Sequence, residues 1–339
     1  MPTVAIDVRD SRAPQLRGWG RYARELLTAL QRHAGDRGIE LRPLDGGGPG
    51  PELLFEQLWL PRLLRREHAD AVHSPNCFLP LRRPCPGIVS VHDLAFEEYP
   101  EDFSRRTGWK YRAFAPRAAR SAERVICVSE YTRDDLCDRY GVPAERVRVI
   151  PEAPALPVGR LEPPEGPYLL AVGDLRRKKN LLRLVEAFRE LRSRGLPHRL
   201  VLAGLDTGEG ARVQEAAGEA PVELTGYVDD ARLDALMRGA DLVVHPSLYE
   251  GFGLVLLEAM ARGRPVAAAR ATALPETGAG AALYFDPLDR EEMASTIERA
   301  VTDRELHARL AELGRARAAE FSWDATAERT LSVYEEVLP

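Results

Sequence analysis

Lysine is scarce in this sequence of 339 residues. Only three of its 47 basic residues are lysines, at positions 110, 178 and 179. Arginine serves almost everywhere else, yet two of the three lysines stand side by side. This pairing favours a functional role for the two adjacent lysines.

Cysteine and long apolar runs are also scarce. Cys77, Cys85, Cys127 and Cys137 show no C-x-x-C pairing, so we expect buried reduced thiols rather than a zinc site or a disulfide. No apolar run approaches the ~18 residues of a membrane-spanning helix, and MPTVAIDVRD at the start lacks the pattern of a signal peptide. The sequence therefore predicts a cytoplasmic protein.

Neither sign of charge dominates. Residues 1–150 carry 24 basic and 21 acidic side chains, and the remainder carries 23 and 31. A nucleic-acid-binding domain is expected to be clearly basic, so neither half fits that class. Apolar residues make up 45% and charged residues 29% of the chain, which is typical of a soluble globular protein.

Segments typical of strands and helices alternate along the chain. Short β-branched runs such as PTVAIDV and GIVSVHD alternate with helical segments such as WGRYARELLTALQRH, and the alternation restarts at YLLAVG. This order is typical of parallel sheets covered by helices. We predict an α/β fold of two doubly wound domains that face each other across a cleft, where such sheets bind ligands at their carboxyl edges.

Proline marks the predicted boundary between the domains. The segment PEAPALPVGRLEPPEGP, residues 151–167, contains six prolines and no periodicity, so neither helix nor strand interior is expected there. We predict an N-terminal domain over residues 1–155 and a C-terminal domain over residues 156–320. A last helix within residues 321–339 is expected to pack back on the first domain.

The stretch GWGRYA, residues 18–23, matches the pattern G-x-G-x-x-A of dinucleotide-binding proteins. Its position argues against that function, because the nine residues RDSRAPQLR separate Val8 from Gly18 and Glu40 falls near the start of the second strand. A glycine loop that leads into a helix start still suits an anionic ligand, with Gly18 and Gly20 allowing close approach. A loop without function is the alternative.

A basic loop follows the first strand of the second domain. In VGDLRRKKNLLRLVEAF, residues 172–188, the strand ends at Gly173 and apolar residues then recur at helical spacing. Lys178 and Lys179 are therefore expected at the carboxyl edge of the sheet, beside a helix start with its partial positive charge. This arrangement suits a diphosphate, and a solvated basic turn is the alternative.

Two glutamates stand eight positions apart in LYEGFGLVLLEAM, residues 248–260. We predict a loop followed by a helix, with Gly253 at the helix start, where backbone amides can approach a phosphate closely. Glu258, one turn into an apolar helix, is costly to bury unless it is hydrogen-bonded, for example by a ribose. The alternative is that Glu258 pairs with an arginine and that Glu250 is a charge before the helix.

These segments together resemble the retaining GT-B glycosyltransferases of family 4, also called glycosyl transferases group 1, and their mannosyltransferase-like branch in particular. The resemblance runs nearly end to end. It is carried by GWGRY at 18–22, HDL at 92–94, RVICVSEYTRDDL at 124–136, the basic-KN loop at 176–180, TGYV at 225–228, the glutamate pair within PSLYEGFGLVLLEAMARGRPV, and TALPE at 272–276. Each segment alone is a weak signal, whereas their occurrence together and in order is specific.

The resemblance implies a nucleotide-sugar donor that is bound mainly by the second domain. Lys178 and Lys179 would hold the diphosphate together with the amides at the helix start, and Glu258 would bind the ribose hydroxyls. The implied donor-binding residues are Gly18, Gly20, Asp93, Lys178, Lys179, Tyr227, Val228, Gly251, Phe252, Gly253, Leu254 and Glu258. The backbone around Tyr227 and Val228 would line the base.

The resemblance also implies the catalytic residues. His92 would face the transferred sugar from the first domain, Glu250 would contact that sugar from the second, and Lys179 would act on the leaving diphosphate. Members of the family retain the anomeric configuration, so an α-linked donor would give an α-linked product. One departure from the family is Asp174, which stands where many relatives have arginine.

No metal ion or other cofactor is expected. The chain contains no D-x-D motif, which another glycosyltransferase fold uses to hold a metal at the diphosphate. Cationic side chains would replace the metal here.

Two other functions remain open from the sequence. A nucleotide-sugar epimerase has the same architecture and needs no acceptor, and a non-catalytic nucleotide-binding scaffold would keep the fold alone. The donor base and sugar are open between GDP-mannose and UDP-sugars, and the acceptor between a glycan, a lipid-linked and a small molecule. The helix LWLPRLLRREH, residues 58–68, places Arg62, Arg65 and Arg66 on one face, which suits either solvent or an anionic membrane.

Overall fold

A computed structural model describes residues 1–12, 18–46 and 51–339 of the chain. The chain divides into two compact units. The first comprises Met1–Ala153 and Phe321–Pro339, and the second comprises Pro154–Glu320. The division falls two residues before the predicted domain boundary, and the last helix belongs to the first unit.

The first unit is built on a parallel sheet of six strands in the order β2-β1-β3-β4-β5-β6. The strands are β1 (Thr3–Asp7), β2 (Glu40–Leu44), β3 (Ala71–Ser74), β4 (Gly87–Val91), β5 (Arg124–Cys127) and β6 (Val147–Val149). The helices are α1 (Gly18–His33), α2 (Glu52–Leu54), α3 (Leu60–Arg66), α4 (Ala95–Glu98), α5 (Arg105–Ser121) and α6 (Glu130–Tyr140), and a π-helical turn, Phe55–Trp59, joins α2 to α3. The strand order reverses between β1 and β3, which are neighbours.

Helix α1 begins at Gly18, one residue before the helical segment WGRYARELLTALQRH that the sequence predicts. Gly18 and Gly20 lie in its first turn, so the predicted glycine loop at these two residues is wrong. The helix is stabilised by an apolar stripe at fourfold spacing, in which Tyr22, Leu26 and Leu30 are almost completely buried. The gain from burying this stripe outweighs the low helix propensity of the two glycines, which costs about 1 kcal/mol per residue.

The second unit repeats the design with a parallel sheet in the order β12-β11-β10-β7-β8-β9. The strands are β7 (Tyr168–Val172), β8 (Arg199–Ala203), β9 (Val222–Gly226), β10 (Leu242–His245), β11 (Val266–Ala269) and β12 (Leu283–Phe285). The helices are α7 (Leu181–Ser193), α8 (Gly210–Ala217), α9 (Asp230–Gly239), α10 (Leu254–Ala261), α11 (Leu274–Gly278), α12 (Arg290–Thr302) and α13 (Arg304–Ala318). The strand order reverses between β7 and β10. The predicted α/β class with two doubly wound parallel sheets is confirmed.

The last helix, α14 (Trp323–Glu335), packs against α1 in the first unit. Leu331 and Tyr334 are completely buried in the same core cluster as Leu26 of α1. The Tyr334 hydroxyl lies 2.7 Å from Nδ1 of His73, so the helix is fixed by a polar contact as well as by apolar burial. Within the described residues, every helix is too short or too polar to cross a membrane.

Candidate functional site

The loops that follow β7 and β10 lie side by side because these two strands are neighbours in the sheet. This is the point of the second unit where the strand order reverses, and open α/β sheets bind ligands outside the carboxyl ends of their strands at such points. The side chain of Asn180 joins the two loops, since Nδ2 donates to the carbonyl oxygens of Pro246 and Pro287 at 3.1 and 2.8 Å. The KKN segment is therefore fixed to the segment that precedes α10.

A largely buried ion pair lies at this edge. Nζ of Lys179 is 2.5 Å from Oε1 of Glu250, and their side chains are 16% and 13% exposed. Burial alone would raise the pKa of the Glu250 carboxyl, but the charges of Lys179 and Lys178 and the contact with His245 lower this pKa well below its usual range. The structure thus brings together two of the three residues predicted to be catalytic, with Glu250 ionised at neutral pH.

His245 is a third member of this cluster and was not singled out from the sequence. Nε2 lies 3.2 Å from Oε1 of Glu250, without the alignment of a good hydrogen bond. The ring is almost completely buried at the end of β10. A polar residue that ends an otherwise apolar strand, as in LVVHPS, is the signal that identifies such a position.

The loop before α10 is held by backbone geometry and by threonines. Gly253 has φ 104° at the N-terminal cap of α10, and a Cβ there would lie 2.8 Å from Cδ2 of Leu274. Thr277 donates from its hydroxyl to the carbonyl oxygen of Phe252 at 2.5 Å, and the amide of Glu250 donates to Oγ1 of Thr272 at 2.9 Å. The TALPE segment therefore fixes the loop that presents Glu250.

Lys178 and Lys179 differ in their surroundings. Lys178 is buried, with Nζ 5.9 Å from the centre of the Tyr249 ring, and its carbonyl oxygen accepts from the amide of Leu248 at 2.8 Å. Lys179 carries its ammonium directly at Glu250. The sequence predicts that the two lysines form one diphosphate site. In the structure their ammonium groups have different neighbours: the Tyr249 ring for Lys178 and the Glu250 carboxylate for Lys179.

Glu258 is buried in the first half of α10. Its Oε1 accepts a hydrogen bond from the backbone amide of Leu156 at 3.1 Å, so the chain just after the predicted linker start provides a partner for this carboxylate. Arg262 lies nearby, but its guanidinium donates to the carbonyl oxygens of Glu258 and Leu156 and pairs with Asp234. The ribose role of Glu258 stays a prediction.

Asp174, which the resemblance implies is an arginine in many relatives, has a structural contact. Its Oδ1 accepts from the amide of Leu205 at 3.2 Å and so connects the loops after β7 and β8. Tyr227 and Val228 follow directly after β9 at the same sheet edge, and the Tyr227 side chain is 42% exposed. The predicted base-lining segment therefore presents an exposed aromatic ring.

His92 follows β4 in the first unit and is buried. Its Nδ1 lies 2.8 Å from Oε1 of Glu152, and its Nε2 lies 2.8 Å from the carbonyl oxygen of Pro75. Both ring nitrogens are thus engaged within the first unit. The sequence interpretation, in which His92 faces a sugar, did not include either partner, because Glu152 lies in the proline-rich segment that we read only as a linker.

The other predicted residues of the first unit surround His92. The ring of Trp19, between Gly18 and Gly20, stacks on His92 with centroids 6.0 Å apart. Asp93 accepts at Oδ1 from the amide of Ala95 at 3.0 Å, which fixes the start of α4. The glycines of α1 therefore lie close to His92 in the fold, as members of a helix.

A metal centre is absent from the part of the chain that the structure describes, where no group of three or more His, Cys, Asp or Glu side chains is close enough to hold an ion. The four cysteines are free, with Cys77 and Cys127 buried and Cys85 and Cys137 half-buried. Burial raises the pKa of the Cys85 thiol to about 11. These thiols are protonated at neutral pH and are poor metal ligands.

Both halves of the chain match known enzyme families. Residues 155–317 match the family described as "Glycosyl transferases group 1", and residues 16–153 match "Glycosyltransferase Family 4". The chain belongs to the group 1 glycosyltransferases. The resemblance drawn from its sequence segments is confirmed.

Individual proteins that this glycosyltransferase resembles agree with the family assignment. It is 29% identical to "O-antigen chain mannosyltransferase B" of Escherichia coli, over 80% of this chain and 75% of that protein. It is also 29% identical to "MMP alpha-(1->4)-mannosyltransferase" of Mycolicibacterium hassiacum, over 81% and 72%. The Anabaena protein HepE, solved with UDP and glucose, superposes with a TM-score of 0.74 at 19% identity, over 99% of this chain and 100% of that one. The fold of this chain is therefore that of GT-B glycosyltransferases.

Proposed function

We propose that this glycosyltransferase moves a hexose of mannose or glucose type from a nucleoside-diphosphate sugar to an acceptor hydroxyl, with retention of configuration and without a metal ion. The Lys179–Glu250 pair at the carboxyl edge of the second unit supports this proposal most directly. It provides a cation for a diphosphate and a carboxylate for a sugar within one salt bridge. Both groups follow strands that meet where the strand order reverses.

In this proposal the start of α10 receives the diphosphate. Gly253 has no side chain, so the amides of Gly253 and Leu254 are open to phosphate oxygens, and the helix start adds partial positive charge. Nζ of Lys179 exchanges its contact with Glu250 for a phosphate oxygen. Lys178 adds a second positive charge close by, which lowers the pKa of the same carboxyl.

The reaction breaks the bond between the anomeric carbon and a phosphate oxygen and forms a bond from that carbon to the acceptor oxygen. The acceptor proton passes to the leaving phosphate oxygen on the same face of the sugar, which accounts for retention. Lys179 and the amides at the helix start stabilise the negative charge that develops on the leaving diphosphate. Glu250 positions the sugar and stabilises its developing positive charge.

The names of the relatives suggest classes of nucleotide-sugar donor, but they do not point to a single nucleobase. Two of them are mannosyltransferases by name, which favours GDP-mannose, whereas HepE was solved with UDP. The donor base is set by the backbone of residues 227–228 and by loop shape, so both classes belong in the experiment. A cytoplasmic location stays a prediction of the sequence.

The donor site is tested by the melting temperature of the protein with UDP, GDP, ADP, dTDP and their common sugar conjugates, each with and without EDTA. A ligand at ~100 times its dissociation constant adds about 2.7 kcal/mol to the free energy of unfolding, which raises the melting temperature by several degrees. We expect a shift with one base, unaffected by EDTA and reduced in Lys179→Ala and Glu258→Ala. No shift with any of these ligands contradicts the proposal.

Transfer itself is tested with the donor so identified and a panel of glycan, lipid-linked and small-molecule acceptors. We expect a product whose anomeric proton in NMR shows the configuration of the donor. An inverted product refutes retention. Conversion of the donor to an isomeric sugar nucleotide without any acceptor identifies an epimerase instead.

A further inference from the structure

The first unit holds His92 so that neither ring nitrogen is open to a ligand. Nε2 of His92 is 2.8 Å from the carbonyl oxygen of Pro75, and Nδ1 is 2.8 Å from Oε1 of Glu152. The side chains of His92 and Glu152 are 8% and 10% exposed. The two contacts approach the ring from opposite sides and fix its orientation.

The partners also determine the protons on the ring. A carbonyl oxygen only accepts hydrogen bonds, so Nε2 carries a proton, and an ionised carboxylate likewise only accepts, so Nδ1 carries the second. The pair then consists of an imidazolium and a carboxylate. Burial alone would lower the pKa of His92, but the hydrogen bond and the charge of Glu152 raise it above its ordinary value.

Several other groups face the His92 ring. Tyr22 of α1 contacts it edge-on with centroids 4.5 Å apart, and Trp19 stacks on it. Asp93 raises its pKa, whereas His73 of β3 is itself kept neutral, with its pKa lowered to about 3 by burial and by the charge of His92. Glu152 contributes most to raising the pKa of His92, so it is the residue to change.

We propose that Glu152 is a positioning residue that keeps His92 doubly protonated, so that the ring acts in catalysis through its positive charge rather than through a free nitrogen. This inference rests on the proposed function. In the transfer reaction, a cation held in one orientation at the carboxyl edge of the first unit is preorganised to stabilise negative charge that develops as the donor reacts. No proton is exchanged at His92 during the reaction.

The pair is tested by NMR titration of the histidine rings in the wild type and in Glu152→Gln, with His92 assigned from a His92→Gln spectrum. Glutamine keeps an oxygen that accepts from Nδ1 but removes the charge. We expect the His92 pKa to lie above 6.5 in the wild type and to fall by about one unit or more in the variant. Glu335→Gln, which changes an exposed glutamate paired with Arg37, leaves it unchanged. An unchanged titration in Glu152→Gln refutes the pairing.

The catalytic part is tested by the pH profile of kcat/KM. We expect the rate to fall as pH rises through the His92 pKa of the wild type, and this limb to move to lower pH in Glu152→Gln by the same interval as the NMR titration. A limb that stays in place while the titration moves refutes the catalytic role. Lack of transfer by the wild type with every donor refutes the proposed function instead, and the NMR result then stands alone.

A separate observation concerns the surface of α2, the π-helical turn and α3. Four large apolar side chains are exposed in or beside this surface, with Leu54 at 44%, Leu58 at 48%, Trp59 at 41% and Trp109 at 58%. Leu54 and Trp109 line one cavity of about 450 Å³, and Trp59 lines a second of about 580 Å³. The four exposed apolar side chains therefore lie in one region of the surface rather than scattered over the unit.

Arginines border this apolar surface. Arg62, Arg65 and Arg66 are exposed on the next two turns, and Arg106 lines the first cavity with Trp109. The guanidinium carbon of Arg62 lies 5.4 Å from the centre of the Trp59 ring. Tryptophan beside arginine is typical of helices that lie in the interface of a bilayer, because both combine apolar bulk with a polar group.

We infer that this surface docks on a bilayer that contains anionic lipids. The arginines are complementary to the charge of such a surface, and the leucines and tryptophans gain by entering the region of the acyl chains. Of the acidic neighbours, Glu52 pairs with Lys110, which lies outside the three arginines, whereas Glu67 pairs with Arg66 and offsets part of its charge. Arg62 and Arg65 therefore carry most of the positive charge of this surface. Docking would hold the first unit beside any acceptor that is anchored in the bilayer.

Docking is tested by sedimentation with vesicles of phosphatidylcholine alone and of phosphatidylcholine mixed with phosphatidylglycerol. We expect binding to the mixed vesicles, weakened by salt. Replacing Arg62, Arg65 and Arg66 by glutamine should weaken it roughly fivefold per arginine. A matched triple change of the exposed Arg299, Arg304 and Arg309 removes the same charge elsewhere and should leave binding nearly unchanged.

The apolar contribution is tested by Leu58→Ser, with Leu288→Ser as its control, since Leu288 is 65% exposed in the second unit. We expect weaker vesicle binding only for Leu58→Ser. No binding to the mixed vesicles, or equal effects of the matched variants, refutes docking through this surface. Equal binding to neutral and anionic vesicles refutes the preference for anionic lipids. A dimer in sedimentation velocity that Leu58→Ser dissociates shows that a second copy covers this surface instead.

Discussion

Each unit contains an ion pair in which a basic side chain follows the end of a strand and the carboxylate comes from another segment of the chain. The pairs are Lys179–Glu250 in the second unit and His92–Glu152 in the first, and they differ in their basic residue and in where the carboxylate lies. In the second unit, Lys179 and Glu250 both lie in loops that follow neighbouring strands. In the first unit, His92 follows a strand and Glu152 follows β6 in the segment without helix or strand. Lysine keeps its proton at any physiological pH, whereas histidine loses its proton near neutrality unless a carboxylate retains it.

The difference indicates how each pair serves the proposed reaction. Lys179 has a flexible side chain and can move from Glu250 to a phosphate when the donor binds. His92 is held at both nitrogens and cannot exchange partners without losing a hydrogen bond. One unit thus offers a movable cation and the other a fixed one.

Removing the movable cation should have the largest effect. We expect Lys179→Met to lower kcat/KM by about 10²–10³-fold, since it removes a charge at the leaving diphosphate. Arg177→Met changes an exposed basic residue of the same loop and should leave kcat/KM within about threefold, because exposed charges are screened by solvent. Steady-state kinetics with the identified donor measures both. Equal losses in the two variants would show that only the general charge of the loop matters.

The two pairs should lose their stabilising effect at opposite ends of the pH range. The pKa of Glu250 is depressed below 4.5 in the folded state, so its stabilisation is complete above that value and is lost as pH falls through the folded pKa. The pKa of His92 is raised above 6.5, so its stabilisation is complete below that value and is lost as pH rises through the folded pKa.

Urea unfolding across the pH range checks this contrast. We expect Glu250→Gln to weaken the dependence below pH 4.5 and to leave the one above pH 6.5 unchanged, and Glu152→Gln to do the reverse. If either substitution alters both limbs, the two pairs are not independent. The midpoint concentration of urea is the quantity to compare, because the slope reports on surface exposed rather than on stability.

The sequence predicted more of the second unit than of the first. Strand ends and helical periodicity placed Lys178, Lys179 and Glu250 at one sheet edge, and the structure places Lys179 beside Glu250. The choice of Lys179 rather than Lys178 as the partner of Glu250 depends on the register of β7 against β10. A pattern of neighbouring residues in the sequence does not predict that register. Periodicity also does not show that His245 lies beneath the same carboxylate.

In the first unit the local pattern was a weaker guide. The loop predicted at Gly18 and Gly20 was wrong: two glycines favour a loop, but burial of Tyr22 and its neighbours fixes a helix there. Helix α5 was not predicted, although Ser104 caps it by accepting from the amide of Thr107, because Pro116 and many arginines obscure its periodicity. Glu152 lies among prolines, where no periodicity marks a buried side chain.

A smaller effect is expected from the backbone of the loop before α10. In Gly253→Ala, the methyl group would meet Leu274 at 2.8 Å in a residue with φ 104°, so we expect a loss of about 1–3 kcal/mol in the free energy of unfolding. Gly280→Ala adds the same methyl group where no atom lies within 4 Å, and should change stability by less than about 0.5 kcal/mol. Thermal unfolding measures both, and similar losses would show that Gly253 is not strained.

The smallest effect concerns Asp174, at the position where the family resemblance implies an arginine in many relatives. We expect Asp174→Arg to tighten nucleoside-diphosphate binding by about threefold to tenfold, because it adds a cation at the sheet edge beside Lys179, where a pair of opposite charges near the surface gains about 1 kcal/mol. The lost contact with the Leu205 amide should cost about 1 kcal/mol of stability.

Asp174→Asn separates the two consequences, because it keeps an oxygen that accepts from Leu205 but adds no cation. Calorimetric titration at low and high salt should show tighter binding for the arginine variant alone, with the gain reduced by salt. Equal affinities in the two variants would mean that the phosphates do not reach this position. The amides at the start of α10 and Lys179 would then hold the diphosphate without help from the β7 loop, and the absence of arginine at position 174 would cost this chain nothing in donor binding.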